Sequence, residues 1–155
     1  MRANMLLKAL CLCFFFTDLL SLDLQKGRSM SLAMQIISVQ QNKQILYITL
    51  EDNSASKDFI AQLPLELEFS DYANKEKIAH LPKALSVKNT PGYEPQIGDF
   101  FYFSPWGNVG IFYDKQPPFE GLVYLGKIVD SGKSDGVEIL KNIKGDFRVK
   151  ITKQD

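Results

Sequence analysis

Residues 98–113 read GDFFYFSPWGNVGIFY, and their pattern decides the fold class. Phe, Tyr, Val and Ile dominate both halves, the residue types that suit a pleated, half-buried surface. Pro105, Gly107 and Asn108 interrupt the run, and these types break a strand and favour a turn. The stretch predicts a β-hairpin, with Phe100 to Ser104 as one arm, Ser104 to Asn108 as the turn and Val109 to Tyr113 as the return. The turn carries Trp106, the only Trp of the 155-residue chain. An indole has a large apolar face and one N–H donor. On a turn it either grips a ligand or folds back over the end of the sheet.

The same β pattern extends on both sides of the hairpin. Gln35 to Val39 and Gln44 to Leu50 flank the polar residues 40–43 and read as a first hairpin. Residues 51–54 (EDNS) are a helix-start cluster, with Asn53 or Ser54 as N-cap. Ala55, Phe59, Ile60 and Leu63 then fall on one helical face up to Pro64, which ends the helix. Leu65 to Phe69 alternates strictly, leucines and Phe inward and Glu66 and Glu68 outward, which is a strand with one wet face. Lys75 to Leu81 is a shorter, more polar strand. Residues 83–97, with a Pro91-Gly92 turn, read as a long surface loop that leaves Tyr93 exposed or half-buried, and such loops are often functional. After the central hairpin come a loop holding Pro117-Pro118, a strand over Leu122 to Val129, a short helix over Val137 to Ile143, and a last strand in which Phe147, Val149 and Ile151 alternate with polar residues. The expectation is mainly β: eight short strands in a closed or nearly closed antiparallel barrel, which hides its edges, with two short helices over its open ends.

Lys+Arg and Asp+Glu number 18 each. The first 33 residues hold four basic and two acidic side chains, so residues 34–155 retain 14 basic and 16 acidic. That balance leaves no electrostatic footprint for nucleic acid. Both cysteines, Cys11 and Cys13, precede residue 34, and His80 is the single His. Residues 34–155 therefore lack a disulfide framework, a Cys nucleophile and the ligand clusters of zinc or iron sites. Neither a metal nor a cofactor is expected.

Residues 1–33 stand apart. Arg2 and Lys8 precede an apolar run over Ala9 to Phe16 that is too short to cross a bilayer. The segment is either a secretory-like leader or a stretch ahead of a true start at Met30 or Met34. Residues 34–155 are the expected domain, not embedded in a membrane. The expected location is cytoplasmic, or secreted or membrane-anchored if the leader acts as a signal.

TLEDNSASKDFIAQLPLELEFSDY (49–72), EKIAHLP (76–82), GDFFYFSPWGNVGIFY (98–113) and GLVYLGKIVDSG (121–132), in that order, resemble the bacterial cyclophilin-like domain family. The resemblance spans about Gln35 to Ile143. It implies the cyclophilin barrel of eight strands with two capping helices. Cyclophilins proper are peptidyl-prolyl isomerases, and the resemblance implies that activity only where the catalytic Arg is kept. The amide they rotate has a resonance barrier of ~18–20 kcal/mol. An Arg held against the prolyl nitrogen weakens that resonance in the transition state. The only Arg after Met30 is Arg148, in the last predicted strand. The EKIAHLP strand offers lysines, Glu76 and His80 instead, and a lysine does not replace a planar guanidinium.

Six residues are candidates for a ligand site. Trp106 is the grip. Asn108 either contacts a ligand or holds the turn through its own side chain. Glu76 and His80, four apart, share one strand face and form a polar spot suited to hydrogen bonding, or an exposed face without chemistry. Tyr102 and Tyr113, one on each hairpin arm, either line a cleft beside Trp106 or pack in the barrel. The resulting expectation is a non-catalytic module that binds a small molecule or a proline-containing peptide. The alternatives are an isomerase with an altered active site and an auxiliary domain that docks on an enzyme.

Overall fold

The computed structural model describes residues 35–41, 43–129 and 135–154. The leader assigned to residues 1–33 lies outside the described residues. Eight strands and two helices follow in chain order: β1 Gln35–Gln41, β2 Gln44–Leu50, α1 Ser54–Ile60, β3 Leu65–Tyr72, β4 Glu76–His80, β5 Asp99–Phe103, β6 Asn108–Phe112, β7 Leu122–Ile128, α2 Gly136–Asn142 and β8 Phe147–Lys153. All pairings are antiparallel, in the order β1-β2-β7-β5-β6-β4-β3-β8. β8 pairs with β1 as well as with β3, so the strands form a closed barrel. Its seams are uneven: β2 meets β7, and β3 meets β4, over only three residue pairs each. No described helix is long and apolar enough to cross a membrane.

Alternation along the strands sorts the side chains. Ile48, Leu67, Phe69, Phe100, Tyr102, Val109, Ile111, Leu125, Val149 and Ile151 are among those that fill the barrel. Glu66 and Glu68 are exposed, as their alternation with leucine requires. On β4 to β7 the opposite face is also buried. Ile78, Phe101, Phe112 and Leu122 form a second cluster there, with Tyr93 and Phe103 packed against it. This part of the sheet is dry on both faces.

The two helices are local consequences of caps and of one apolar stripe each. Asn53 is the N-cap of α1; its Oδ1 accepts from Ser56 N at 2.8 Å while its Nδ2 donates to Tyr124 O at 2.8 Å. Ser56 Oγ donates to Leu125 O at 3.0 Å, so the helix is tied to β7 by polar contacts as well as by Ala55 and Phe59. The helix ends at Ile60, three residues before the predicted end at Leu63. Gln62 N and Leu63 N turn back to Phe59 O and Ile60 O, because a residue before proline is driven out of the helical region. In α2, Asp135 caps the amides of Val137 and Glu138, and Leu140 joins the barrel interior.

A buried polar contact fixes the β3–β4 corner. Lys77 is 1 % exposed, and its Nζ donates to Asp71 Oδ2 at 2.6 Å and to Ile143 O at 2.8 Å. Tyr113 Oη donates to the same Asp71 oxygen at 2.7 Å, and the ammonium lies 5.3 Å from the Tyr113 ring centroid. A lysine in the barrel wall thus joins β3, β4, the segment after β6 and the end of α2.

Candidate functional site

The hairpin turn builds the site. Trp106 N and Gly107 N both donate to Phe103 O, at 3.2 and 3.0 Å, and Gly107 has φ +66°, a region open to glycine. This tight turn lets Asn108 pair directly with Phe103 and throws the indole sideways over the outer face of β5 and β6. Trp106 remains 50 % exposed. Its ring stands edge-on to Tyr72 and to Phe103, at centroid distances of 5.4 and 5.3 Å and interplanar angles of 81° in both cases. The indole therefore stands nearly perpendicular to both of its aromatic neighbours.

Beneath them lies a pocket of about 530 Å³ on the outer face of the barrel. Phe101 and Phe112 make its floor, stacked at 4.1 Å with 15° between their planes. Phe101 lies flat because its cross-strand partner is Gly110; a Cβ there would come within 2.5 Å of Phe101 Cζ. Phe119, from the loop between β6 and β7, closes one side and is 55 % exposed.

Besides Lys75, three polar side chains line this apolar space: Glu76, Asn108 and Gln116. Glu76, the first residue of β4, is 8 % exposed and lines the pocket, and no hydrogen bond or ion pair engages its carboxylate among the described residues. Burial pushes its pKa up to about 7. Asn108, 1 % exposed, presents a buried Oδ1 that accepts no hydrogen bond. The only Lys or Arg among the lining residues is Lys75, whose Nζ donates instead to Lys115 O at 3.2 Å.

Of the six residues chosen from sequence, the structure brings Trp106, Glu76 and Asn108 to one pocket. The other three lie elsewhere. Tyr102 does not line a cleft: it faces the barrel interior, 1 % exposed, and its Oη accepts from Leu85 N at 3.3 Å. Phe103 faces outward beside Trp106, so its neighbour must face inward. Nor are Tyr102 and Tyr113 cross-strand partners, since Tyr102 pairs with Val109. Tyr113 follows outward-facing Phe112 and turns to Asp71; burial, then that hydrogen bond, push its hydroxyl pKa up. His80 is exposed at the end of β4, with Nδ1 3.2 Å from Trp106 O, so it buttresses the turn from outside the pocket. Glu76 does not share an exposed polar face with His80: Glu76 and Ile78 are buried under the pocket's other walls. Tyr72, Phe101, Phe103, Phe112 and Phe119 were not chosen. The alternation of β5 is the signal for two of them, because it sets Phe101 and Phe103 on one face beside the Trp106 turn.

An unpaired buried carboxylate has a stability cost that depends on pH. Glu76 holds its proton to about pH 7 in the folded protein, against 4.5 for the free side chain. Between these values the folded state binds more protons than the unfolded state, so stability falls as pH rises through this window. Glu76→Gln is therefore expected to raise the melting temperature near neutral pH and above, and to leave it unchanged below about pH 4.5. Thermal unfolding followed by circular dichroism across this range checks it; a lower melting temperature near pH 8 would show that the carboxylate has a stabilising partner.

Comparison with known proteins agrees with this architecture. A model of the cyclophilin-like family matches residues 39–152. The solution structure of a hypothetical protein from Archaeoglobus fulgidus aligns with a TM-score of 0.60 at 16% identity, covering 77% of this chain and 94% of that one. No curated protein matches the chain. With the match running from within β1 to within β8, the chain belongs to the cyclophilin-like family.

Proposed function

We propose that the protein is a binding module without catalytic chemistry of its own, which takes a small molecule or a short peptide segment into the pocket beside Trp106. The observation that carries this reading is the unpartnered Glu76 carboxyl at an aromatic-walled space, with the buried, unsatisfied Asn108 Oδ1 in the same lining. Buried polar groups are ordinarily satisfied, and a group left open in a pocket is one that a ligand can complete. The volume of about 530 Å³ lies within the ~300–1,000 Å³ typical of ligand sites.

The unfilled groups also bear on the isomerase alternative. Weakening the prolyl amide needs a fixed donor aimed at its nitrogen. Here the unpartnered groups are a carboxyl and an amide oxygen, and the lining cation, Lys75, lacks the planar fork of a guanidinium.

Trp106 reports on its own pocket, since no other Trp contributes emission. A library of metabolites and proline-containing peptides is expected to contain members that change this emission saturably and raise the melting temperature by mass action. A protease-coupled proline isomerisation assay is expected to stay at background. If no member moved either signal the binding reading would fall, and isomerisation well above background would overturn its non-catalytic half.

A further inference from the structure

Resting on that binding role, the geometry points to a ligand class: an elongated organic monocation whose protonated amine sits at Glu76, whose apolar body lies along Phe101 and Phe103 under Trp106, and whose far end donates a hydrogen bond to Asn108. Three observations lead there.

First, the two unsatisfied groups are far apart. Glu76 pairs with Phe112 and Asn108 with His80, so the two sites are separated by four residues of strand. At ~3.3 Å per residue this is about 13 Å between backbones, less the inward lean of the side chains. One small polar head cannot satisfy both groups, but a rod-shaped ligand with a donor at each end can.

Second, the charge has one sign. An ionised carboxylate only accepts hydrogen bonds, and the buried atom at the Asn108 end is an oxygen. The titratable groups around Glu76 do not neutralise it. Lys75, from the β3–β4 turn, sends its ammonium to Lys115 O and makes no ion pair with Glu76. Tyr93 from the long loop and Tyr113 after β6 have hydroxyl pKa values pushed up by burial first, with a smaller contribution from the Glu76 charge itself. His80 is exposed at the far end of β4. The Glu76 carboxylate has no countercharge in contact with it among the described residues.

Third, the walls suit a cation. Trp106 stands perpendicular to both Tyr72 and Phe103, and aromatic faces attract ammonium groups through their quadrupoles. Tyr72 is the cross-strand partner of Glu76, so an aromatic wall and the carboxylate meet at the same end of the pocket.

The burial that raises the Glu76 pKa to about 7 sets the pH response. A bound ammonium favours the ionised carboxylate, so affinity rises with pH through about 7, and binding near that pH releases a proton.

The test uses the full chain and three probes of one shape, titrated by calorimetry: tyramine (cation), para-ethylphenol (neutral) and para-hydroxyphenylpropanoate (anion). At about pH 8 tyramine is expected to bind at least about tenfold tighter than para-ethylphenol, equivalent to ~1.4 kcal/mol, with the anion weakest. At about pH 5.5, with Glu76 protonated, the preference shrinks towards parity. Glu76→Gln removes the preference and keeps para-ethylphenol binding, while circular dichroism shows the variant folded. Equal affinities at about pH 8, or a preference that survives Glu76→Gln, would overturn the ammonium assignment and leave the binding pocket standing. If none of the three bound, or moved Trp106 emission, the ammonium assignment would be overturned. A blank with the broader library as well would overturn the pocket itself.

Discussion

Asp71→Ala is expected to destabilise the domain by about 3 kcal/mol, and Lys77→Met by clearly less. The asymmetry follows from burial. The Lys77 side chain is 1% exposed, whereas that of Asp71 is 32% exposed. Removing Asp71 leaves an ammonium in the barrel wall with only Ile143 O and the Tyr113 ring beside it. Breaking a buried pair in this way costs about 3–5 kcal/mol, and the partial exposure of Asp71 puts this case at the lower end. Removing Lys77 instead frees a carboxylate that can turn to water, and Met fills most of the vacated space. The double variant Asp71→Asn, Lys77→Met is expected to recover much of the loss, since a buried ion pair is often worth little against an apolar pair. Urea denaturation midpoints at constant slope measure all three. An Asp71→Ala cost below that of Lys77→Met would contradict the buried-charge account. Asp71 also gives the pair its acid response. Burial alone would raise its pKa, but the hydrogen bonds from Lys77 and Tyr113, the Lys77 charge and the Asn74 amide outweigh this and hold it below 3.8. The contribution is therefore present above that pH and is lost only as the pH falls further.

Phe59→Ala is expected to cost about 3–5 kcal/mol, the range for deleting a buried aromatic ring. With seven residues, α1 is far too short to persist alone. It is held against β7 by the Asn53 cap, by Ser56 and above all by Phe59, which is fully buried and meets Phe100 edge-on at 5.2 Å. Loss of the ring opens a cavity over Phe100, and the next residue, Phe101, is the floor of the ligand pocket. The variant should therefore lose pocket binding along with stability. Phe59→Leu, which keeps most of the volume, should cost about 1.5 kcal/mol or less. Loss of under about 1 kcal/mol for Phe59→Ala would mean that α1 does not seal the core.

The strand frame was legible because it is written in period-two alternation. β2 runs over Gln44–Leu50 as its pattern predicts, and Glu66 and Glu68 face water. The turn at Pro105–Gly107 and the prominence of Trp106 were legible in the same way. The β3–β4 region was not. Lys75, Glu76 and Lys77 look like solvated charge in one dimension, and only the closed wall and the covering loops bury Glu76 and Lys77. Lys77 is dry because Asp71 and the end of α2 converge on it from sites 6 and 66 residues away. Glu76 is mostly buried because it lines a pocket whose other walls include Tyr72, Phe112 and Phe119 from three other segments. For Tyr102 and Tyr113 the sequence left cleft lining and packing both open, and the structure takes the packing side. A hydroxyl on a strand suggests a wet cleft, but one finds the Leu85 amide inside the barrel and the other finds Asp71.

The pocket itself is most directly tested by the indole N–H of Trp106, a single resonance in a nitrogen–proton correlation spectrum of the labelled chain. Titration with an aromatic amine such as tyramine is expected to shift this resonance together with the Asn108 side-chain amide and the backbone amides of Glu76 and Phe112, on one saturable curve. Shifts that saturate elsewhere on the barrel while these four stay fixed would contradict a binding site beside Trp106.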